Sequence, residues 1–255
     1  MNGEADRLAA LRRQIDGLNG EILDAFLRRM QVSEEIAEVK RTGGTATLCP
    51  AREREILDSV AARSGIYADY TLPLFEKLME LSRMRQTELN KFAAGKSIAL
   101  IGMPGAGKTS LGRLLAGYTG LAHIDTDELL TERLGISPAQ FIISKGEAAF
   151  RKQEAALICE LAPRSGQVIS TGGGCVLTEA VRGALKANCV CVWVQRPTEL
   201  LPSNDRPISQ AVGISELYAA RLPLYRALAD ISVDNASTLE AAARTVYNIL
   251  RSRYI

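Results

Sequence analysis

From Leu8 onward, seam positions recur in alternating steps of three and four: Leu8, Leu11, Ile15, Leu18, Ile22, Ala25, Arg29, Val32, Ile36 and Val39. All but Arg29 are apolar, and such a repeat predicts a long helix packed along one seam against other helices. Proline is absent before Pro50. The helix is therefore predicted from about Ala5 to Arg41, about 55 Å at the α-helical rise, with Thr42-Gly43-Gly44-Thr45 ending it. A shorter helix is predicted over Ala51 to Arg63 and a third over about Tyr70 to Phe92. Three helices of one chain cannot cover so long a seam, and a dimer of helical hairpins is the natural arrangement.

After Ala93-Ala94-Gly95 the period changes. Ser97 to Ile101 reads as a short apolar strand, followed by strands predicted at Leu121 to Ile124, Val168 to Ser170, Val190 to Val194 and Ile231 to Val233. Helical stretches separate them. Alternating β and α units predict a parallel sheet covered by helices. The expected organisation is an all-α domain over residues 1–92 and an α/β domain with a parallel sheet over residues 93–255.

Composition narrows the function classes. The chain has 255 residues, 47% hydrophobic and 24% charged, with a formal net charge of +2. That profile is globular and argues against a broad nucleic-acid footprint. Residues 1–90 hold 13 Lys/Arg and 15 Asp/Glu, and the remainder 18 and 14, a mild basic bias in the half expected to handle a polyanion. No apolar run is long enough to span a bilayer, and Met1 to Ala10 carries no export pattern. Cys189 and Cys191 alternate with Val190 and Val192, which predicts buried thiols, and a reducing cytoplasm is the expected location.

Candidate chemistry begins where the first strand ends. Gly102-Met103-Pro104-Gly105-Ala106-Gly107-Lys108-Thr109 has the eight-residue phosphate-loop pattern, with a strand before it and a helix-prone stretch from Ser110 after it. Glycines at these positions let successive N–H groups curl around phosphate oxygens, and the helix N-terminus adds positive potential. The expected ATP contacts are Gly102, Gly105, Ala106, Gly107, Lys108, Thr109 and Ser110. Lys108 reaches the β and γ phosphates, and the Thr109 hydroxyl ligates Mg²⁺. Asp125-Thr126-Asp127 follows the second strand, where one carboxylate can serve the metal and the other an acceptor hydroxyl. An N-cap role for Asp127 is the competing reading. Arg151 and Glu154 share a helix face, and Gly172-Gly173-Gly174 presents bare backbone after the third strand.

These motifs, with Arg206-Pro207 and Arg221-Leu222-Pro223-Leu224-Tyr225, stand in the order found in shikimate kinase, which residues 96–250 resemble. The resemblance implies that Asp127, Arg151, Gly173, Gly174 and Arg221 hold shikimate, and that Asp125 joins Thr109 at the metal. It implies that Asp127 is the base for the 3-hydroxyl and that Arg206, in a lid shorter than the family's commonest form, neutralises the transferring phosphate. A kinase for another small polyol, such as gluconate, is the alternative.

In the helical half, Arg29 occupies a seam position, and a cation there calls for a bound anion or a paired carboxylate. Lys40 returns to nearly the same face 11 residues later, about 16 Å along the axis, whereas Arg12 lies about 26 Å from Arg29 and is turned away. With Arg52, Glu53, Ser82 and Gln86, this set is similar to the site of the all-helical class of chorismate mutase. The resemblance implies that Arg29 and a partner chain's Arg12 hold the carboxylates of chorismate. Lys40 and Gln86 would donate to the breaking ether oxygen, Glu53 would accept from the ring hydroxyl, and no cofactor would be needed. Cys49 stands where that family often has an acidic residue. A non-catalytic dimerisation module is the competing reading of residues 1–92.

Overall fold

The computed structural model describes residues 2–43, 49–201 and 213–254. The chain divides into two compact units, Met1–Asn90 and Lys91–Ile255.

The first unit is all-helical: α1 (Asn2–Gly43), α2 (Pro50–Ser64), a 3₁₀ turn (Gly65–Tyr67) and α3, which begins at Ala68 and runs to Ala94. Pro50 opens α2, where its fixed φ suits the first turn and its missing N–H costs nothing. α3 starts two residues earlier than its pattern suggests and absorbs Pro73 near its N-terminal end. Met79, Ser82, Gln86 and Leu89 form its buried stripe, at helical spacing. Among the described side chains of α1, Ser33 and Ala37 are buried. That face lies beside the predicted seam rather than on it. Leu11, Ile15, Leu18, Ile22, Val32, Ile36 and Val39 are all exposed, Val39 by 70%. A single chain leaves its most regular apolar stripe in water.

The second unit is built on a five-stranded parallel sheet in the order β2-β3-β1-β4-β5. The strands are β1 (Ser97–Ile101), β2 (Ala122–Asp125), β3 (Gln167–Ser170), β4 (Cys189–Gln195) and β5 (Ile231–Asp234). Between them run α4 (Lys108–Thr119), α5 (Thr126–Leu134), α6 (Pro138–Lys145), α7 (Glu147–Leu161), α8 (Glu179–Asn188) and α9 (Ile214–Leu228), and α10 (Leu239–Tyr254) closes the unit. Every residue of β1, and β4 up to Val194, is buried. Consecutive burial means both faces of the sheet are covered, which is why these strands read as unbroken apolar runs. Cys175, Cys189 and Cys191 are free and buried. Burial pushes the Cys175 thiol up to about 12 and that of Cys189 to about 11, so neither is a nucleophile near neutral pH. No described helix is long and apolar enough to cross a membrane.

Candidate active sites

At the C-terminal end of β1 the chain enters the glycine-rich loop and then α4. Gly102 and Gly107 have φ of +143° and +94°. A Cβ on Gly102 would strike the Val194 carbonyl, and one on Gly107 the Asn235 side chain, so only glycine fits. Asn235 donates to the Ala106 carbonyl at 2.8 Å and buttresses the loop from behind. Lys108 is buried, with its ammonium 2.9 Å from the carbonyl oxygens of Gly102 and Met103.

The Thr109 hydroxyl donates to Asp125 at 2.6 Å. The other oxygen of Asp125 accepts from the backbone N–H groups of Asp127 and Glu128 at 2.9 and 3.3 Å. Asp125, not Asp127, is therefore the N-cap of α5. Its extended backbone suits that role, whereas Asp127 already lies inside the helix. The Asp127 carboxylate is left to line the cleft.

That cleft encloses about 450 Å³ between the phosphate loop, α5, α6, α7 and the Gly172–Gly174 turn. Arg151, near the start of α7, donates to Glu154 at 2.6 Å and to Glu147 at 2.9 Å. Glu154 is 1% exposed, and one of its oxygens has no hydrogen-bond partner among the described residues. Burial pushes its carboxyl above the ordinary range, Arg151 pulls it back, and Asp127 pushes it up again. Arg221 is buried beneath the same wall. A Cβ on Gly174 would collide with the Arg151 guanidinium, and one on Gly173 with the Pro104 ring. The bare backbone of this turn therefore sits against both the Arg151 guanidinium and the phosphate loop. The structure brings Lys108, Thr109, Asp125, Asp127, Arg151, Gly173, Gly174 and Arg221 to one cavity. Arg206 lies outside the described residues.

Three groups escaped sequence reasoning. Arg196, just past the C-terminal end of β4, lines the cleft, donates weakly to the Gly105 carbonyl at 3.4 Å, and keeps a buried Nε without a partner among the described residues. An arginine at a strand's C-terminal end in a parallel sheet was the available signal. Asn235, just past β5, stood at an equivalent position. Tyr225 stands at the end of the motif that begins at Arg221, but its partners Gly173, Met103 and Trp193 are all distant in sequence.

In the helical unit, Arg29 donates to the Leu78 carbonyl at 2.9 Å and to the Ser82 hydroxyl. Desolvation lowers its pKa, and no carboxylate among the described residues pairs with it. Gln86 is buried and donates to Ser33 at 2.8 Å, leaving its carbonyl oxygen unsatisfied among the described residues. Ser33 is a further residue that the seam pattern did not single out, although it stands four places from Arg29. Lys40 is half-buried on the same helix. The single chain does not assemble the remaining residues with them. Glu53 is engaged by Arg83, whereas its neighbour Arg52 is exposed and pairs with Glu55 at 2.7 Å. The two line different pockets. Arg12 is exposed far along α1.

The shikimate kinase family model matches residues 104–251, and the model for chorismate mutase type II matches residues 11–87. The chain is 38% identical to the shikimate kinase of Thiobacillus denitrificans over 164 residues, 60% of this chain and 90% of that protein. It is 37% identical to that of Halorhodospira halophila over 166 residues, 61% and 94% of the two chains. Among solved structures, the shikimate kinase from Acinetobacter baumannii in complex with shikimate aligns with a TM-score of 0.62 at 28% identity, covering 66% of this chain and 99% of that one. The enzyme from Aquifex aeolicus aligns at 0.54 with 31% identity, covering 61% and 96%.

Proposed function

Because the chain belongs to the shikimate kinase family and carries a chorismate mutase type II domain ahead of its kinase domain, we propose that it performs two reactions of aromatic biosynthesis. The kinase unit phosphorylates shikimate on its 3-hydroxyl with ATP, and the helical unit rearranges chorismate to prephenate.

The observation that carries the kinase reading is the single cleft in which Asp127, Arg151 and Arg221 face the phosphate loop. Arg151 and Arg221 grip the substrate carboxylate through paired, charge-assisted hydrogen bonds. Asp127, free of helix capping, orients the acceptor hydroxyl and takes its proton. Lys108 leaves its two carbonyl contacts for phosphate oxygens, and the N–H groups of the loop surround them. Kinase family membership implies ATP with Mg²⁺. The Thr109 hydroxyl beside the Asp125 carboxylate fits that ion, which binds through few protein oxygens and keeps several waters. When bound, Mg²⁺ offsets the negative charge of the phosphates. Arg196, next to Gly105 and with an Nε that has no partner among the described residues, lies on the nucleotide side. A different small polyol as acceptor is the weaker alternative, since two buried or half-buried arginines answer a carboxylate that a neutral polyol lacks.

For the mutase, the half-buried Arg29, which no carboxylate among the described residues pairs, is a place for an anionic group of chorismate, and Gln86 donates to the ether oxygen together with Lys40. No covalent intermediate is involved. The site lowers the barrier by holding the reactive shape and stabilising charge on the ether oxygen. Arg12 reaches such a site only from a second chain. The exposed seam of α1 supports the same reading, because a homodimer would cover it.

Two assays on purified protein test both readings. ATP consumption is expected with shikimate and not with gluconate, and chorismate is expected to disappear without ATP. ATP turnover with gluconate but not shikimate would overturn the acceptor assignment. Inert chorismate would reduce the helical unit to a dimerisation module.

A further inference from the structure

Tyr225 belongs to α9, one turn after Arg221, and is wholly buried. Its hydroxyl donates to the Gly173 carbonyl at 2.5 Å. The same hydroxyl lies 3.9 Å from the Met103 sulfur in the phosphate loop. The ring stacks on Trp193 of β4, with centroids 6.0 Å apart and planes 20° apart. The residue thus has a fixed ring and a fixed hydroxyl, held by groups from three other parts of the fold.

A planar trans peptide points its C=O and its N–H in opposite directions. The Gly173–Gly174 peptide turns its carbonyl inward to Tyr225, so its N–H, carried by Gly174, turns outward to the cleft that both glycines line. Gly174 packs against the Arg151 guanidinium, close enough that a Cβ would collide with it. That N–H and Arg151 therefore border the same space. Glycine backbone has no side chain to lock its rotation, and a flipped peptide would present a carbonyl oxygen to an incoming carboxylate.

We infer that Tyr225 is a positioning residue for acceptor binding: its hydroxyl pins the Gly173 carbonyl so that the Gly174 N–H stays aimed at the acceptor's carboxylate. This rests on the shikimate kinase reading above. The bond between hydroxyl and carbonyl lies where water is excluded, which strengthens it. It also explains why the position calls for a buried tyrosine and not phenylalanine, since the ring alone would satisfy Trp193.

Tyr225→Phe removes one hydroxyl and keeps the stack. The KM for shikimate is expected to rise about five- to tenfold, the range set by one oriented hydrogen bond, while the KM for ATP stays within about twofold. Trp193 is the chain's single tryptophan, so an unchanged emission spectrum checks that the ring packing survives. Equal rises in both constants, or no change in either, would overturn the inference. A second measurement needs no variant: in the wild-type protein, shikimate without nucleotide should slow amide exchange over residues 171–175. Absence of that protection overturns the inference even if the variant proves insoluble. A wild-type protein that does not phosphorylate shikimate would instead overturn the reading beneath it.

Discussion

In the kinase unit the site's groups arrive from one chain and are mostly buried, Lys108 against loop carbonyls and Arg151 against Glu154. In the helical unit Arg29, Ser82 and Gln86 meet where α1 crosses α3, yet Arg12 stands in water and apolar side chains from Leu8 to Val39 line an uncovered face. The difference follows from architecture. A parallel sheet covered on both faces closes a core around itself, and its strand ends converge on one crevice. Three helices, one of them 42 residues long, have no layer to place over the protruding half of the longest.

The comparison breaks most sharply if the two activities are not separable. Lys108→Ala should lower kinase activity by about a hundred- to a thousandfold or more, by removing the charge that follows the phosphoryl group. Chelation of Mg²⁺ should do the same and be reversed by added Mg²⁺. Mutase activity should be unmoved in both cases. A fall in the mutase with either treatment would mean the units are coupled.

A smaller effect sharpens the claim that the helical site is shared. Arg12→Ala and Lys40→Ala should each be nearly inactive as mutases. Fully exchanged mixtures should recover up to about a quarter of wild-type activity per site, because half the dimers pair unlike chains and each of those has one intact site of two. A mixture that stays inactive, or a monomer with normal mutase activity, removes the shared-site reading.

The smallest expected effect is none. A fragment over residues 91–255 should fold and keep its kinase activity, because its core lies within that range. An insoluble or inactive fragment would show that the helices complete the kinase fold.

Much of this was legible along the chain because its signals are local. The phosphate loop, the strands that flank it and the helical pairs Arg151–Glu154 and Ser82–Gln86 depend on residues a few places apart, where backbone geometry alone decides who is adjacent. The 3-4 repeat of α1 likewise reads directly as a helix. The repeat does not, however, reveal that the chain's own α3 would take the neighbouring face of Ser33 and Ala37.

By itself, then, the sequence determined the two architectures, the phosphate loop and the residue types that each site needs, since periodicity and short motifs are properties of the covalent chain. Tertiary structure alone decided that Arg196 and Asn235 reach the phosphate loop and that Glu53 meets Arg83. It decided too that Tyr225 meets the Gly173 carbonyl 52 residues away. Such contacts depend on how layers pack and on which backbone groups that packing leaves needing a partner, and neither is written in any short stretch of chain.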